Sequence, residues 1–407
     1  MKIIILSLLM MIGVYATEKS NSYTWNTFAQ KALDASFAIR QDDAQLTIEK
    51  EKISQATLWE NPTLEMAFDD GFGKSIDYSY IEFSQKLPSW GENTHKKRAA
   101  QFELESKVHI KDRTILQVQY TAAALFQKMH SAKRQLNFVD QQLKKIEQLQ
   151  KKTISREKSG DISGLERSRI DIMKQQIAMK RHDLKNSYLK LQLEAQTLLN
   201  VNDTILLLGD IIKPRKINIT MLIESLKLSP EYRHYEAKVE AAKEELALAK
   251  ATRYGSPELY AYSRQSLLLN DNTTSYTGIG FRLSVPLWDR RDSQIEIQSV
   301  NIQKNSIRAQ EVIYGLERNV KSYYTLYKNV SKELKNYKKN LLDPSRKYSE
   351  ISTISFELGE KSLLELLDAQ TLYFKNQLEY QTLILEANFY WLQLCSAASI
   401  NLLKDNK

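Results

Sequence analysis

The sequence predicts a mainly α-helical fold with a small β part, built as two tandem repeats of helix, β-hairpin, long helix and helix. Three observations lead there. Only 12 Gly and 7 Pro occur in 407 residues, and they cluster, which leaves long stretches free of helix breakers. Four of the prolines, Pro62, Pro88, Pro257 and Pro286, bracket two short segments rich in Tyr, Phe, Ile, Gly and Thr, the composition of β-hairpins. An apolar stripe that follows the first hairpin recurs after the second at an offset of 198 residues.

Lys2 precedes an apolar run from Ile3 to Val14 that closes on Val14, Tyr15 and Ala16, so residues 1–16 read as a cleavable signal peptide. The run is too short to span a membrane as a helix, which takes roughly 20 residues. No cysteine follows that site to carry a lipid. The first repeat, 17–205, is expected to hold a helix from about 24 to 60 and strands at about 63–72 and 76–88. A long helix from about 92 to 155, a tip near 156–165 and a returning helix from about 161 to 200 complete it. The second repeat, 206–407, is expected to hold a helix at about 229–255 and strands at about 258–268 and 275–287. Its long helix runs from about 290 to 353, its tip lies near 355–364 and its returning helix covers about 361–403.

The repeat is visible residue by residue. Asn61-Pro62-Thr63-Leu64 answers Ser256-Pro257-Glu258-Leu259, and Leu87-Pro88-Ser89-Trp90 answers Val285-Pro286-Leu287-Trp288. Val118, Ala122, Leu125, Met129, Ala132, Leu136, Val139 and Leu143 form a 4,3,4,3 stripe. Adding 198 gives Leu316, Val320, Tyr323, Tyr327, Val330, Leu334, Tyr337 and Leu341, a heptad pattern in the same register. Each long helix then reaches a lone glycine, Gly160 or Gly359, suited to the left-handed position that closes a helix before a tight turn. Pro344 interrupts the second long helix where the first has Ile146 at that offset, so a kink is expected there.

The hairpins carry the functional signal. Along the second, Thr277, Ile279, Phe281, Leu283 and Val285 alternate with Tyr276, Gly278, Gly280, Arg282 and Ser284, so one face meets an apolar medium and the other water. Strands of roughly 10 residues cross a bilayer when tilted, yet four strands cannot close a barrel whose smallest known form has about 8. Three chains would supply 12.

Composition excludes other classes. The formal net charge of +9 comes from 58 basic and 49 acidic residues that are interspersed, the pattern of a solvated helix surface and not of a nucleic-acid groove. His95, His109, His130, His182 and His234 are scattered, and no zinc-helix, phosphate-loop or nucleophile-elbow motif is present. Met173 and Met179 are six apart, on different helix faces, so no metal site is expected. Cys395 is the only cysteine, which rules out an intrachain disulfide.

The Asn61-Pro62 strand entry, the Ser84 to Gly91 strand exit, the Gly278 to Asp289 strand and the phrase Gly359 to Gln370 resemble the TolC-like outer-membrane efflux protein family, in its order and spacing, twice. The resemblance covers nearly the whole chain after residue 16. It implies a homotrimer with a 12-stranded transmembrane β-barrel on an α-helical periplasmic tunnel, located in the outer membrane and needing no cofactor. It also implies docking of the tips around Gly160 and Gly359 onto a periplasmic adaptor that serves an inner-membrane transporter, expected to be of the RND type. Outer-membrane lipids would contact Ile279, Phe281, Leu283 and Val285. Glu365 and Asp368 match acidic positions lining a periplasmic gate, and Lys361 a basic latch position. Two other readings stay open at this point: a periplasmic coiled-coil structural or adaptor protein, and the outer-membrane component of type I protein secretion.

Overall fold

The computed structural model describes residues 21–69, 77–160, 163–210, 212, 214, 218–267 and 273–403. The expected signal peptide and the far ends of both hairpins lie outside the described residues. The chain runs through β1 (Asn21–Tyr23), α1 (Trp25–Ala35), α2 (Phe37–Gln55), β2 (Thr63–Asp69), β3 (Asp77–Lys86), α3 (Glu92–Lys158), α4 (Gly164–Leu199), β4 (Ile205–Leu207) and α5 (Ile219–Ser225). It continues through α6 (Pro230–Ala251), β5 (Glu258–Leu267), β6 (Thr273–Arg282), α7 (Asp292–Tyr337), α8 (Asp343–Glu357) and α9 (Leu363–Ala397).

The 67 residues of α3 extend on the order of 100 Å at 1.5 Å per residue. Against it pack α2 near the hairpin end and α4 near the tip, while α6 and α9 occupy the same two levels between α3 and the α7–α8 rod. Two helices of each repeat thus share the length of one. The first helix, expected as one piece, breaks at Ser36, whose extended backbone both ends α1 and caps α2 through an Oγ that accepts from Ile39 N. At mid-length, Phe28, Phe126, Met129, Trp391 and Cys395 form the main core; there β1 pairs in parallel with β4 across the repeat junction. A second core, built on Val139, Ile146, Ile170, Phe356 and Leu366, holds the tip together.

The stripe changes register once. Leu316, Val320 and Val330 are buried as expected, but Leu341 is 48% exposed and Leu342 takes the buried position at 6%. Between α7 and α8 the chain makes a π-helical turn, Lys338–Leu342, which accommodates one extra residue. Downstream of it the repeat offset is 199: Ile146 and Ser345, Thr153 and Ser352, Ile170 and Ala369, and Leu184 and Leu383 are buried in matching pairs. The counterpart of Pro344 is therefore Lys145, not Ile146. Pro344 lies just inside α8, where an uninterrupted α-helix would leave the Asn340 carbonyl without its donor and press it against the ring. The π turn relieves both, and the expected kink takes that form.

The two hairpins join. Strands β2, β3, β5 and β6 form one antiparallel sheet in that order, with β3 and β5 paired from Asp77↔Leu267 to Lys86↔Glu258. Near the helices β2 and β5 begin where expected, at Thr63 and Glu258, whereas β3 and β6 end sooner than expected. β6 stops at Arg282, leaving Leu283 and Val285 in an extended segment beyond it. Its partner β5 begins only after Pro257, which has no N–H to offer the ladder.

Candidate functional site: an apolar sheet face and a helical tip

Side chains opposite one another in a sheet share a face, so the register assigns the two surfaces. One row carries Leu64, Phe83, Ala261 and Ile279 and the next carries Met66 and Ile81. The third row adds Leu259 and Phe281. These side chains have no cover: Ile279 is 89% exposed, Phe281 58%, Met66 55% and Leu64 56%. Beyond the strand, Leu283 and Val285 extend the exposed apolar run. Ten-residue strands rise about 33 Å, and at a tilt near 40° that is close to the roughly 25 Å apolar band of an outer-membrane barrel.

The opposite face is polar and aromatic. Tyr260 lies over Gly280 and Tyr262 over Gly278, so closely that a Cβ on either glycine would fall 2.2 Å and 2.8 Å from the ring. Glycine at these two positions is what lets the tyrosines lie flat. Arg282 reaches Glu258 at 2.7 Å and Glu82 at 3.2 Å, and its guanidinium stands 4.8 Å from the Tyr260 ring centroid. Tyr80 donates to Glu82 and lies under Arg264. β5 alternates weakly in sequence because its side chains on the apolar face shrink to Ala261 and Ser263 while its tyrosines lie on the polar face.

At the far end of the rods, the tip of the second repeat is a tight α8–α9 turn. Gly359 has φ +81°, its N–H donates to Phe356 O at 3.1 Å, and Glu360 N donates to Ser355 O at 2.8 Å, the paired bonds of a Schellman closure. Gly160 has φ +83°, and its N–H donates to Glu157 O at 3.1 Å. Open space surrounds both glycines, so the demand is purely conformational. Gly359→Ala is expected to cost about 1–2 kcal/mol and to lower the thermal midpoint without changing the helix content seen by circular dichroism.

Ser362 caps α9. Glu365 N donates to its Oγ at 3.4 Å, and the Glu365 carboxylate accepts from Ser362 N and Oγ, each at 2.9 Å. Those bonds, from the backbone N–H first and the hydroxyl second, with Lys361 adding a favourable charge, hold the Glu365 carboxyl below the usual carboxylate range. Lys361 turns toward α8, its Nζ 4.9 Å from the Tyr348 ring centroid and 3.4 Å from Ser352 Oγ. Asp368 is exposed and makes no hydrogen bond or ion pair among the described residues. The three side chains expected to act together thus have three different surroundings. Two contacts that the sequence did not announce tie the tips to one another: Lys152 on α3 to Glu357 on α8 at 2.7 Å, and Arg156 over the Phe356 ring at 5.0 Å. The lysine holds the Glu357 carboxyl below its ordinary range.

Residues 222–394 match the family model described as outer membrane efflux protein. The match covers most of the second repeat. No curated protein matches the sequence. Among solved structures, the fold is similar to the outer-membrane channel OprN at TM-score 0.75 and 12% identity, covering 93% of this chain and 90% of that one. It is similar to the outer membrane protein VceC of Vibrio cholerae at TM-score 0.72 and 14% identity, covering 92% and 95%. The open state of the MtrE outer membrane channel of Neisseria gonorrhoeae matches at TM-score 0.71 and 12% identity, covering 92% and 88%. At these identities the likeness is one of fold. The exposed tryptophans are a further site feature: Trp59, Trp90 and Trp288 are 59%, 99% and 93% exposed, all beside the helix end of the sheet, and sequence reasoning used two of them, Trp90 and Trp288, only as repeat markers. The signal was in the sequence, since Trp90 and Trp288 each follow a strand-ending proline by two residues.

Proposed function

We propose that three copies of this chain close a 12-stranded barrel and form the outer-membrane channel of a tripartite efflux assembly, a passive duct through the outer membrane and into the periplasm. The observation that carries the reading is the four-stranded sheet: apolar and uncovered on one face, polar on the other, with β2 and β6 left as open edges. Strand directions alternate across it, so β6 of one copy meets β2 of the next antiparallel, and a ring of any copy number closes. Two copies would give 8 strands, whose interior side chains alone fill. Tyr260, Tyr262, Arg264 and Arg282 would plug it. Three is the smallest number that leaves a passage.

The tips at Gly160 and Gly359 would meet a periplasmic adaptor, and through it an inner-membrane transporter of the RND type. Detergent-extracted protein should behave as a trimer and give discrete conductance steps in planar bilayers. A monomer that remains in solution without detergent and gives no steps would instead favour the periplasmic coiled-coil reading.

At the gate, the free carboxylate of Asp368 is the residue that sets ion preference, because a ring of three such charges at a constriction concentrates cations. Glu365 is occupied by its cap. Asp368→Asn should therefore lower cation selectivity several-fold with an unchanged thermal midpoint, whereas Glu365→Gln should lower the midpoint as well. Equal selectivity in the wild type and Asp368→Asn would remove Asp368 from the lumen. The Lys152 to Glu357 pair would hold the second tip against the first, so charge reversal at Lys152 is expected to raise conductance.

A further inference from the structure

We infer that a basic band just below the sheet is a docking surface for anionic phospholipid headgroups in the leaflet that faces the helices. This rests on the reading that the sheet spans a membrane. Two observations converge on it. Trp59, Trp90 and Trp288 lie at the helix end of the sheet, the last two almost bare of protein cover and Trp59 more than half exposed; indole rings gather where hydrocarbon gives way to headgroups. They therefore mark the depth of that boundary.

Immediately below, the charge is one-sided. The segments 58–62, 86–98, 250–258 and 282–293 contain nine Lys and Arg against five Asp and Glu. All five acidic side chains are already engaged. Glu60 pairs with Lys86, Glu92 with Lys96, Glu258 with Arg282 and Asp292 with Arg253, while Asp289 accepts from the Arg291 backbone N–H at 2.9 Å. The surplus falls on Lys97, Lys250, Arg290 and Arg291, which are exposed and have no acidic partner among the described residues. The Arg291 guanidinium donates to the Thr252 hydroxyl.

The spacing fits a headgroup layer. Arg290 and Arg291 follow Trp288 by two and three residues, and Lys97 lies a turn and a half into α3 after Trp90, which is about 8 Å along the helix. The polar zone on each side of a bilayer is about 5–8 Å deep. Guanidinium groups bind phosphate through paired N–H bonds, and basic side chains at this depth attract anionic lipid. The band repeats three times around the trimer.

The test uses the full-length detergent-extracted oligomer, mixed with equal amounts of phosphatidylglycerol and phosphatidylcholine carrying the same acyl chains, with retained lipid counted by native mass spectrometry. Wild type should retain phosphatidylglycerol roughly fivefold over phosphatidylcholine. The preference should shrink as salt rises. The quadruple variant Lys97→Gln, Lys250→Gln, Arg290→Gln, Arg291→Gln should retain the two lipids equally while keeping its oligomeric state and conductance. Equal retention by a conducting wild-type oligomer, or a preference that survives in the quadruple variant, would overturn the surface alone. A non-conducting monomer would overturn the barrel and the surface with it.

Discussion

Replacing Ile279 by arginine should abolish assembly in the outer membrane. Ile279 is 89% exposed at the middle of the apolar face, in line with Leu64, Phe83 and Ala261. An arginine on the lipid face near the bilayer midplane costs about 2–4 kcal/mol per copy, and three copies multiply that to roughly 6–12 kcal/mol for a closed ring, comparable to the whole stability of an ordinary domain. Tyr276→Gln, on the opposite face and three residues away, should assemble normally. The measurement is the amount of trimer recovered from outer-membrane fractions on semi-native gels. Equal recovery of the two variants would place the apolar face somewhere other than lipid.

Inserting one alanine after Asn340 should unpack the tip, while deleting Asn340 in a Pro344→Ala background, where no ring opposes an unbroken α-helix, should be tolerated. The π turn Lys338–Leu342 already holds one residue more than α3 has over the same length. Removing that residue converts the turn to α-helix and leaves α7 and α8 in phase. Adding another rotates everything downstream by about 100°. Leu342 and Phe356, each 6% exposed, would leave their core positions, which Leu341 and Ser355 would take. Burial of each is worth about 1.5–3 kcal/mol. The thermal midpoint followed by circular dichroism should fall by many degrees for the insertion and by only a few for the deletion. Similar losses in both would show that the bulge itself, and not the phase it preserves, is what the tip requires.

Much of this fold was legible in the sequence because its signals are long. Long helices need only the absence of breakers and a sustained heptad, and the stripe from Val118 to Leu143 supplied both. The repeat was legible because proline and tryptophan mark the same strand exit twice. What escaped was short or relational. β1 and β4 have three residues each, too few for a period. The pairing of β3 with β5 joins residues 172 to 190 apart and leaves no local trace. The slip from 198 to 199 could have been read by comparing the stripe with the two tip glycines, which lie 199 apart.

The site residues divide in the same way. Ile279 and Phe281 sit on the expected face, since strand alternation is a strong local rule, whereas Leu283 and Val285 fall past the last ladder pair. Glu365 was picked out as a gate carboxylate, but the pattern Ser362-x-x-Glu365, like Ser163-x-x-Glu166, is also a capping box, and the side chain is engaged in that cap. A capping carboxylate carries charge at the helix N-terminus, yet its direction is set by the cap. Asp368, one turn further, has no such duty, and its counterpart in the first tip is Arg169. The two tips therefore differ in charge at this position.

The claim on which everything else depends is that β6 of one copy pairs with β2 of the next. Hydrogen–deuterium exchange of the detergent-extracted protein, read at the amides of Leu64–Phe68 and Thr274–Arg282, tests it directly. In a single chain these are edge strands, and alternate N–H groups face no partner. In the closed ring every one of them is bonded. The account predicts protection in β2 and β6 equal to that in the central strands β3 and β5; rapid exchange of alternate amides in β2 and β6, beside protected β3 and β5, would contradict it.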